Sequence, residues 1–144
     1  MVIAGILKHK GSAVTSVTAG MTIAEVAQVL GSKRIGAVLV MDSADQVLGI
    51  LSERDIVANL AEHGPETLKM TAAQLMTSEV QTATSRTTVD EAMAMMTAGR
   101  FRHMPVVEAG RLVGLVSIGD VVKAKITDAE HEVDSLRAYV AGAA

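Results

Sequence analysis

The chain has 144 residues, of which 49% are hydrophobic, 20% charged and only 1% aromatic, and its formal net charge is −3. This length suits one compact domain or two small halves that share a core, and the apolar fraction excludes intrinsic disorder. The weak negative charge and the scarcity of aromatic rings argue against nucleic-acid binding, and the absence of cysteine excludes disulfides and thiolate metal sites.

Residues 1–11 form a short apolar run followed by lysines, MVIAGILKHKG, which we interpret as an N-terminal helical segment. A secretion signal has the reverse order of charge and apolarity. No window approaches the roughly 18 apolar residues that a membrane-spanning helix needs. We therefore expect a soluble, cytoplasmic protein that does not enter a membrane.

The chain contains an internal repeat, and this repeat governs the interpretation of every later motif. Alignment of the two copies pairs Thr22 with Thr88, an offset of 66 residues, and Gly49 with Gly114, an offset of 65. The missing residue falls in a polar turn, where a hairpin tolerates a change of length. Other matched positions are Glu25/Glu91, Arg34/Arg100, Ser52/Ser117 and Asp55/Asp120.

Each copy begins with an amphipathic helix. Thr22 and Thr88 each precede a glutamate by three residues, a pattern typical of a capping box at a helix start. Glu25 and Glu91 are therefore interpreted as capping partners and not as a catalytic pair. Apolar residues recur at helical spacing in both copies: Ile23, Val26, Ala27 and Leu30, then Val89, Ala92, Met93 and Met96.

After each helix, two apolar runs flank a polar turn, AVLV and VLGIL in the first copy and MPVV and LVGLV in the second. Such runs predict a buried hairpin. A second helix then begins at SERDIVANL and at SIGDVVKAKI, so each copy is predicted as helix, strand, strand, helix. Neither copy covers its own sheet, and we expect the two to pack face to face about a pseudo-two-fold axis.

The predicted fold class is therefore α/β (α+β), with two tandem repeats and a C-terminal helix. Gly64–Pro65 should end the preceding helix and open a linker with some helical character. One stripe of the last helix is apolar, and we expect it to pack against another protein surface. It consists of Ile126, Ala129, Val133, Leu136 and Val140. The predicted organisation is a helical segment (1–11), a first repeat (12–62), a linker (63–76), a second repeat (77–126) and an amphipathic helix (127–144).

The duplicated capped helix, buried hairpin and terminal S-x-x-D helix start resemble the CBS domain family, in the tandem form called a Bateman module. The resemblance covers residues from about 12 to 126, and the strings GILSERDIV, GRFRHMPVV and LVGLVSIGDVV are similar to small bacterial and plant-organellar proteins that consist of little else. It implies a non-catalytic module that binds AMP, ADP, ATP, NAD or S-adenosylmethionine in two clefts between the repeats.

The resemblance assigns the aspartate of each S-x-x-D to the ribose hydroxyls and the serine to ribose or phosphate, that is Asp55 with Ser52 and Asp120 with Ser117. The chemistry is suitable, because a carboxylate accepts from vicinal hydroxyls and a helix N-terminus attracts phosphate. The same four residues also form a capping box that needs no ligand. For a single copy the cap alone would be favoured, but the motif occurs in both copies after a buried strand, and together with the resemblance this favours ligand sites that also cap.

The two clefts should differ, because Arg102 and His103 stand where the first copy has Gly36 and Ala37. Arg102 and His103 are candidates for phosphate contacts, whereas Gly36 and Ala37 would let an adenine approach the backbone. Arg54 is a further candidate for phosphate and is equally well explained as an exposed helix residue. By the resemblance, the segments leading into each repeat touch the opposite cleft, through Thr15, Ser16, Thr77 and Thr82.

Dinucleotide-binding and P-loop glycine motifs are absent, and the four histidines lack the spacing of a helical metal pair. The favoured function is an adenine-nucleotide sensor, a homodimer with no obligatory cofactor, that regulates a separate, unidentified protein. The alternative is a structural or oligomerisation module with non-functional clefts, joined through the stripe of residues 126 to 140. A small nucleotide hydrolase is less favoured, because no nucleophile and base pair is visible.

Overall fold

The computed structural model describes residues 1–143, so Ala144, the last residue of the predicted C-terminal helix, lies outside the described residues. In chain order the elements are α1 (Ile3–Lys10), β1 (Ser16–Val17), α2 (Ile23–Lys33), β2 (Ala37–Met41), β3 (Val47–Ser52), α3 (Glu53–His63), a 3-10 helix (Gly64–Lys69), α4 (Ala72–Leu75), α5 (Val89–Gly99), β4 (His103–Glu108), β5 (Arg111–Ser117) and α6 (Ile118–Ala143).

The chain divides into two compact units, one of which is built from two separate stretches of the sequence. The repeat-1 unit comprises residues 13–81, and the repeat-2 unit combines residues 1–12 with the chain from Thr82 onward. Each contains the predicted order of helix, strand, strand and helix, so the prediction of a mixed fold with two repeats and a long C-terminal helix is confirmed.

In the repeat-1 unit, β2 lies in the middle of a three-stranded sheet, parallel to β1 and antiparallel to β3. Its side chains are buried on both faces, because the four residues from Ala37 to Val40 are shielded from solvent. Continuous apolarity is the pattern expected of a strand covered on both sides. The helices supply the rest of the core through Ile23, Val26, Leu30 and Ile56.

In the repeat-2 unit, β4 and β5 form an antiparallel pair, with Ala83 bridged in parallel to Val106 along one edge. The hairpin is one residue shorter than its counterpart, since His103 pairs with Ser117 where Ala37 pairs with Ser52. The core combines the strands with α5 and α6 and also includes α1, through Ile3, Ile6, Met96, Met104, Val116 and Val121.

Two short helices have equivalent places in the two units. Val2, just before α1, bridges Thr88, the N-cap of α5, whereas Thr71, just before α4, bridges Thr22, the N-cap of α2. Each helix is therefore attached to the first helix of one repeat by the same type of backbone contact. α1 precedes repeat 1 in the chain but packs with repeat 2, and α4 precedes repeat 2 but packs with repeat 1.

Residues 63–76, predicted as a linker, are packed into the repeat-1 unit. As predicted, α3 ends before Gly64–Pro65, where Gly64 takes a positive φ of 68°. The 3-10 helix that follows buries Thr67 completely, and the Thr67 hydroxyl donates to the Asn59 carbonyl at 3.0 Å. A buried hydroxyl that has its hydrogen bond fixes the segment against α3.

The predicted C-terminal helix is the continuation of the second helix of repeat 2. α6 runs without interruption from Ile118 to Ala143, because no glycine or proline stands between Gly119 and Gly142 to end it. From Ala129 to Gly142 every side chain of this helix is exposed. No helix within residues 1–143 is long and apolar enough to cross a membrane.

Candidate functional site

The repeat-1 candidates meet where β3 passes into α3. Ala37 is the cross-strand neighbour of Ser52, and the backbone N–H of Glu53 donates to the Gly36 carbonyl at 2.9 Å. Asp55 stands in the first turn of α3. Gly36, Ala37, Ser52 and Asp55 are thus brought together by one hairpin and the helix that it feeds.

Ser52 and Asp55 form a complete capping box. The Asp55 N–H donates to the Ser52 hydroxyl oxygen at 3.3 Å, while the Ser52 N–H and hydroxyl both donate to Oδ2 of Asp55, at 2.9 and 3.0 Å. Both bonds to the carboxylate end on Oδ2, which leaves Oδ1 of Asp55 without a hydrogen-bond partner among residues 1–143. A carboxylate has about four lone-pair sites, so capping does not exhaust its capacity to accept.

The repeat-2 candidates have the same arrangement where β5 passes into α6. His103 is the cross-strand neighbour of Ser117, and the Ile118 N–H donates to the Arg102 carbonyl at 2.8 Å. The Ser117 N–H donates to Oδ2 of Asp120 at 2.8 Å, and the Asp120 N–H donates to the Ser117 hydroxyl at 3.2 Å. The side chain of Arg102 is exposed, and His103 is half-buried.

Lys10 distinguishes the repeat-2 junction from its counterpart. Its Nζ donates to Oδ2 of Asp120 at 2.6 Å, although the two residues are 110 positions apart. This ion pair joins the end of α1 to the first turn of α6. Sequence reasoning missed Lys10, because no local pattern indicates which element a terminal lysine will meet.

Electrostatics at Asp120 reflect competing effects. Burial alone would raise the pKa of its carboxyl, but the hydrogen bonds from Lys10 and Ser117 together with the lysine charge outweigh burial and hold the pKa below its ordinary value of 3.8. The carboxylate is therefore charged at neutral pH and already stabilised by donors before any ligand arrives.

The remaining candidates lie at the edges of the two units. Thr15 and Ser16 run beside β2, where the Thr15 carbonyl accepts from Leu39. Thr77, at which the predicted second repeat begins, bridges Ile50 of β3 and packs with the repeat-1 unit. The side chains of Ser16, Thr77, Arg54 and Thr82 are exposed, and Thr82 belongs to the repeat-2 unit.

An open groove of about 500 Å³ lies between α2 and α3 of the repeat-1 unit. Its walls include Leu30, Arg34, Gly36, Glu53 and Ile56. This volume is within the usual range for a small-molecule pocket. Gly36 is the one sequence-predicted site residue on its walls, so the groove is adjacent to the Ser52 and Asp55 junction and does not include it.

Residues 1–143 contain no group of three or more histidine, aspartate or glutamate side chains that could hold a metal ion.

Comparison with known proteins identifies both repeats. The profile of the CBS domain matches residues 11–62 and 72–127. A curated relative, the CBS domain-containing protein CBSX3, mitochondrial, of Arabidopsis thaliana, is 31% identical over 97% of this chain and 72% of its own length.

Solved structures agree in fold. A CBS-domain containing protein from Agrobacterium tumefaciens has 43% identity and a TM-score of 0.85, covering 87% of this chain and 99% of its own. A candidate signal-transduction protein with CBS domains from Burkholderia ambifaria has 35% identity and a TM-score of 0.83, covering 89% and 96%. The CBS domain pair of protein MJ0100, in complex with 5′-methylthioadenosine and S-adenosyl-L-methionine, has 26% identity and a TM-score of 0.76, covering 86% and 98%.

Proposed function

Since the chain belongs to the CBS domain family and carries two of its repeats, we propose that it binds an adenosine-containing ligand and passes the ligand's presence to a partner protein. Its own chemistry is binding without catalysis. The ligand class comprises AMP, ADP, ATP, NAD and S-adenosylmethionine, and the regulated protein is supplied in trans. The site of action is the cytoplasm, and the protein works as a homodimer.

The observation that carries this proposal is the repeated junction of strand and helix. In both repeats an aspartate caps the helix with Oδ2, and within residues 1–143 its Oδ1 accepts no hydrogen bond at the N-terminal end of that helix. A free carboxylate oxygen suits the ribose hydroxyls, and the helix N-terminus suits a phosphate or another negative group. The complex of the related CBS pair with two adenosyl compounds supports the same ligand class.

Lys10 adds a route from binding to signal in the repeat-2 unit. A ribose hydroxyl that donates to Oδ1 of Asp120 weakens the attraction between the carboxylate and Lys10, whereas a ligand phosphate offers the lysine a second anion. Either event changes the attachment of α1 to α6. The unit then has two states, one with the Lys10 contact and one without it. A ligand shifts the equilibrium between them only if it binds the two states with different affinities. The difference in ligand affinity between the states with and without the Lys10 contact therefore sets how far binding shifts the attachment of α1.

The first experiment is a thermal-shift titration against AMP, ADP, ATP, NAD, NADH and S-adenosylmethionine, with GTP as the control. A ligand bound by the folded state alone raises its apparent stability. A selective shift with adenosine compounds is the expected result. No shift with any of them at millimolar concentration would instead favour the structural module with non-functional clefts, which the exposed stripe of α6 supports.

Site assignment is tested by calorimetry on Asp55→Asn and Asp120→Asn. Asparagine keeps an acceptor for the cap but loses the charge, so the fold is retained and a charge-assisted bond to ribose is lost. We expect affinity to fall by about 1–3 kcal/mol at each occupied site. Asp134→Asn, on the exposed part of α6, is the matched control. Unchanged affinity in a folded Asp120→Asn variant would remove Asp120 from the site.

A further inference from the structure

The long helix α6 has two apolar faces on opposite sides. Val121 and Ala124 are buried in the core of the repeat-2 unit. The other face is exposed, with Ile126 and Leu136 at 54% and 64% exposure. A helix with a single apolar face needs one neighbour, and a second apolar face calls for another.

The exposed face follows a seven-residue repeat. If Ile126, Val133 and Val140 are assigned to position a, then Val122, Ala129 and Leu136 fall at position d, and the spacing alternates strictly between three and four residues. Val121 and Ala124 then take positions c and f, on the side away from a and d. A sustained a and d pattern is the signature of a coiled coil.

The residue types at these positions favour a parallel pair. All three a positions carry β-branched side chains, and position d includes Leu136. β-branched residues at a with leucine at d favour two parallel strands over higher assemblies. A second copy of α6 carries the same apolar stripe and can therefore pack against the first.

Charges flanking the stripe agree with the parallel arrangement. In a parallel pair, position g of one helix faces position e of the next heptad on the other. This places Lys125 opposite Glu130 and Glu132 opposite Arg137 of the second copy, so both contacts join opposite charges. Glu132 and Arg137 form no ion pair within residues 1–143. Lys125 already binds Asp90 at 2.8 Å and would share its ammonium between two carboxylates.

The charge of the segment argues against a lipid surface as the occupant. Residues 127–143 carry four acidic side chains and one arginine. Amphipathic helices that lie on membranes have lysine and arginine on the polar face, because cell membranes expose anionic headgroups. A second copy, in contrast, satisfies both the apolar stripe and the charges.

We infer that residues 122–142 of α6 pair with the same segment of a second copy of this chain as a parallel, in-register, two-stranded coiled coil. This interaction does not depend on nucleotide binding. It also accounts for a helix whose side chains are exposed over 14 residues from Ala129 to Gly142, since an isolated helix of that length is marginally stable in water.

Cysteine cross-linking tests the pairing directly, because the natural chain has no cysteine. Ile126→Cys and Val140→Cys place thiols at two a positions, and Ala138→Cys places one at position f as the matched control. In the full chain, each a-position variant should give a covalent dimer under mild oxidation, whereas Ala138→Cys should form the same non-covalent pair and yield little covalent dimer. Equal yields from all three variants, or no cross-linked product from the a positions, would overturn the inference.

Orientation is tested by mixing the two a-position variants. A parallel pair joins position 126 to 126 and 140 to 140, so each variant cross-links by itself. Cross-linking that requires the mixture, joining 126 to 140, would show an antiparallel pair and would also overturn the inference.

Charge exchange supplies a test that does not rely on disulfide geometry. On the Val140→Cys background, Glu132→Arg should reduce the yield of covalent dimer, since it places two arginines together at each contact. Adding Arg137→Glu should restore the yield, and the expected change in dimer Kd for the single variant is roughly 2- to 5-fold. Loss without restoration would contradict the proposed pairing of Glu132 with Arg137.

Discussion

Asp120 connects three parts of the repeat-2 unit through one carboxylate. It accepts from the Ser117 N–H at the end of β5, it stands in the first turn of α6, and it accepts from Lys10 at the end of α1. Its counterpart Asp55 has only the capping bonds within its own unit. The same local motif therefore serves as a simple cap in one repeat and as an anchor for a distant helix in the other.

Removal of the lysine charge should make stability depend less on pH. Since the pKa of Asp120 lies below 3.8 in the folded protein, the ion pair contributes stability above that pH, and this contribution is lost as the pH falls through the folded pKa. Lys10→Met should lower the free energy of unfolding by about 1 kcal/mol at pH 7, because both partners are partly solvent-exposed. The difference from wild type should shrink as the carboxyl protonates.

Chemical denaturation of both proteins from pH 7 downward measures this effect. Lys8→Met is the matched control, because Lys8 is exposed on the same helix and forms no ion pair within residues 1–143. An equal loss of stability at every pH would mean that Lys10 acts through its aliphatic stem and not through Asp120.

At the scale of secondary structure, the matched glycines Gly49 and Gly114 mark where a neighbouring segment crosses each hairpin. A Cβ on Gly49 would lie 2.7 Å from the carbonyl oxygen of Thr77, whereas a Cβ on Gly114 would lie 2.6 Å from a methyl group of Leu7 in α1. Both glycines permit a close approach that any side chain would obstruct. The identity of the obstacle differs, since one is backbone and the other is the tip of a side chain.

Alanine substitution should distinguish these two obstacles. Gly49→Ala should lower the free energy of unfolding by about 1–3 kcal/mol, because the backbone of Thr77 cannot turn aside. Gly114→Ala should cost less, since Leu7 can change rotamer. Gly31→Ala, inside α2 with nothing within 4 Å, should instead stabilise the helix and serves as the control. Chemical denaturation provides the comparison, and a larger loss at Gly114 than at Gly49 would contradict the argument.

At the scale of the whole molecule, the order of the chain does not match the order of packing. α1 completes the core of the repeat-2 unit through Ile3 and Ile6, and α4 with Thr77 completes the repeat-1 unit. Each repeat is therefore covered by the short helix that precedes the other repeat in sequence. The repeat-2 unit depends on both ends of the chain for its core.

Deletion of residues 2–12 should consequently destabilise one unit selectively. Loss of two buried isoleucines should remove about 3 kcal/mol or more from the repeat-2 unit. Amide hydrogen exchange should accelerate in β4, β5 and the first turns of α6, whereas β2 and β3 should keep their protection and act as the internal control. Uniform acceleration across both units would contradict the assignment of α1 to the repeat-2 unit.

The local features of both repeats could be predicted from the sequence alone. Capped helices at Thr22 and Thr88, two buried hairpins and the helix starts at Ser52 and Ser117 all depend on residues within a few positions of one another. Periodicity, capping and turn chemistry depend on neighbouring residues, so they can be recognised in the sequence without a structure. Because the chain contains an internal repeat, each of these patterns occurs twice, and each copy supports the interpretation of the other.

Tertiary structure alone decided which distant segments meet. The contact of Lys10 with Asp120 joins residues far apart in sequence, and the placement of α1 and α4 with the opposite repeats reverses the order of the chain. Such contacts are selected by the fit of whole surfaces, for which composition and spacing carry no information. The sequence determined the elements and their caps, and packing determined which of them share a core.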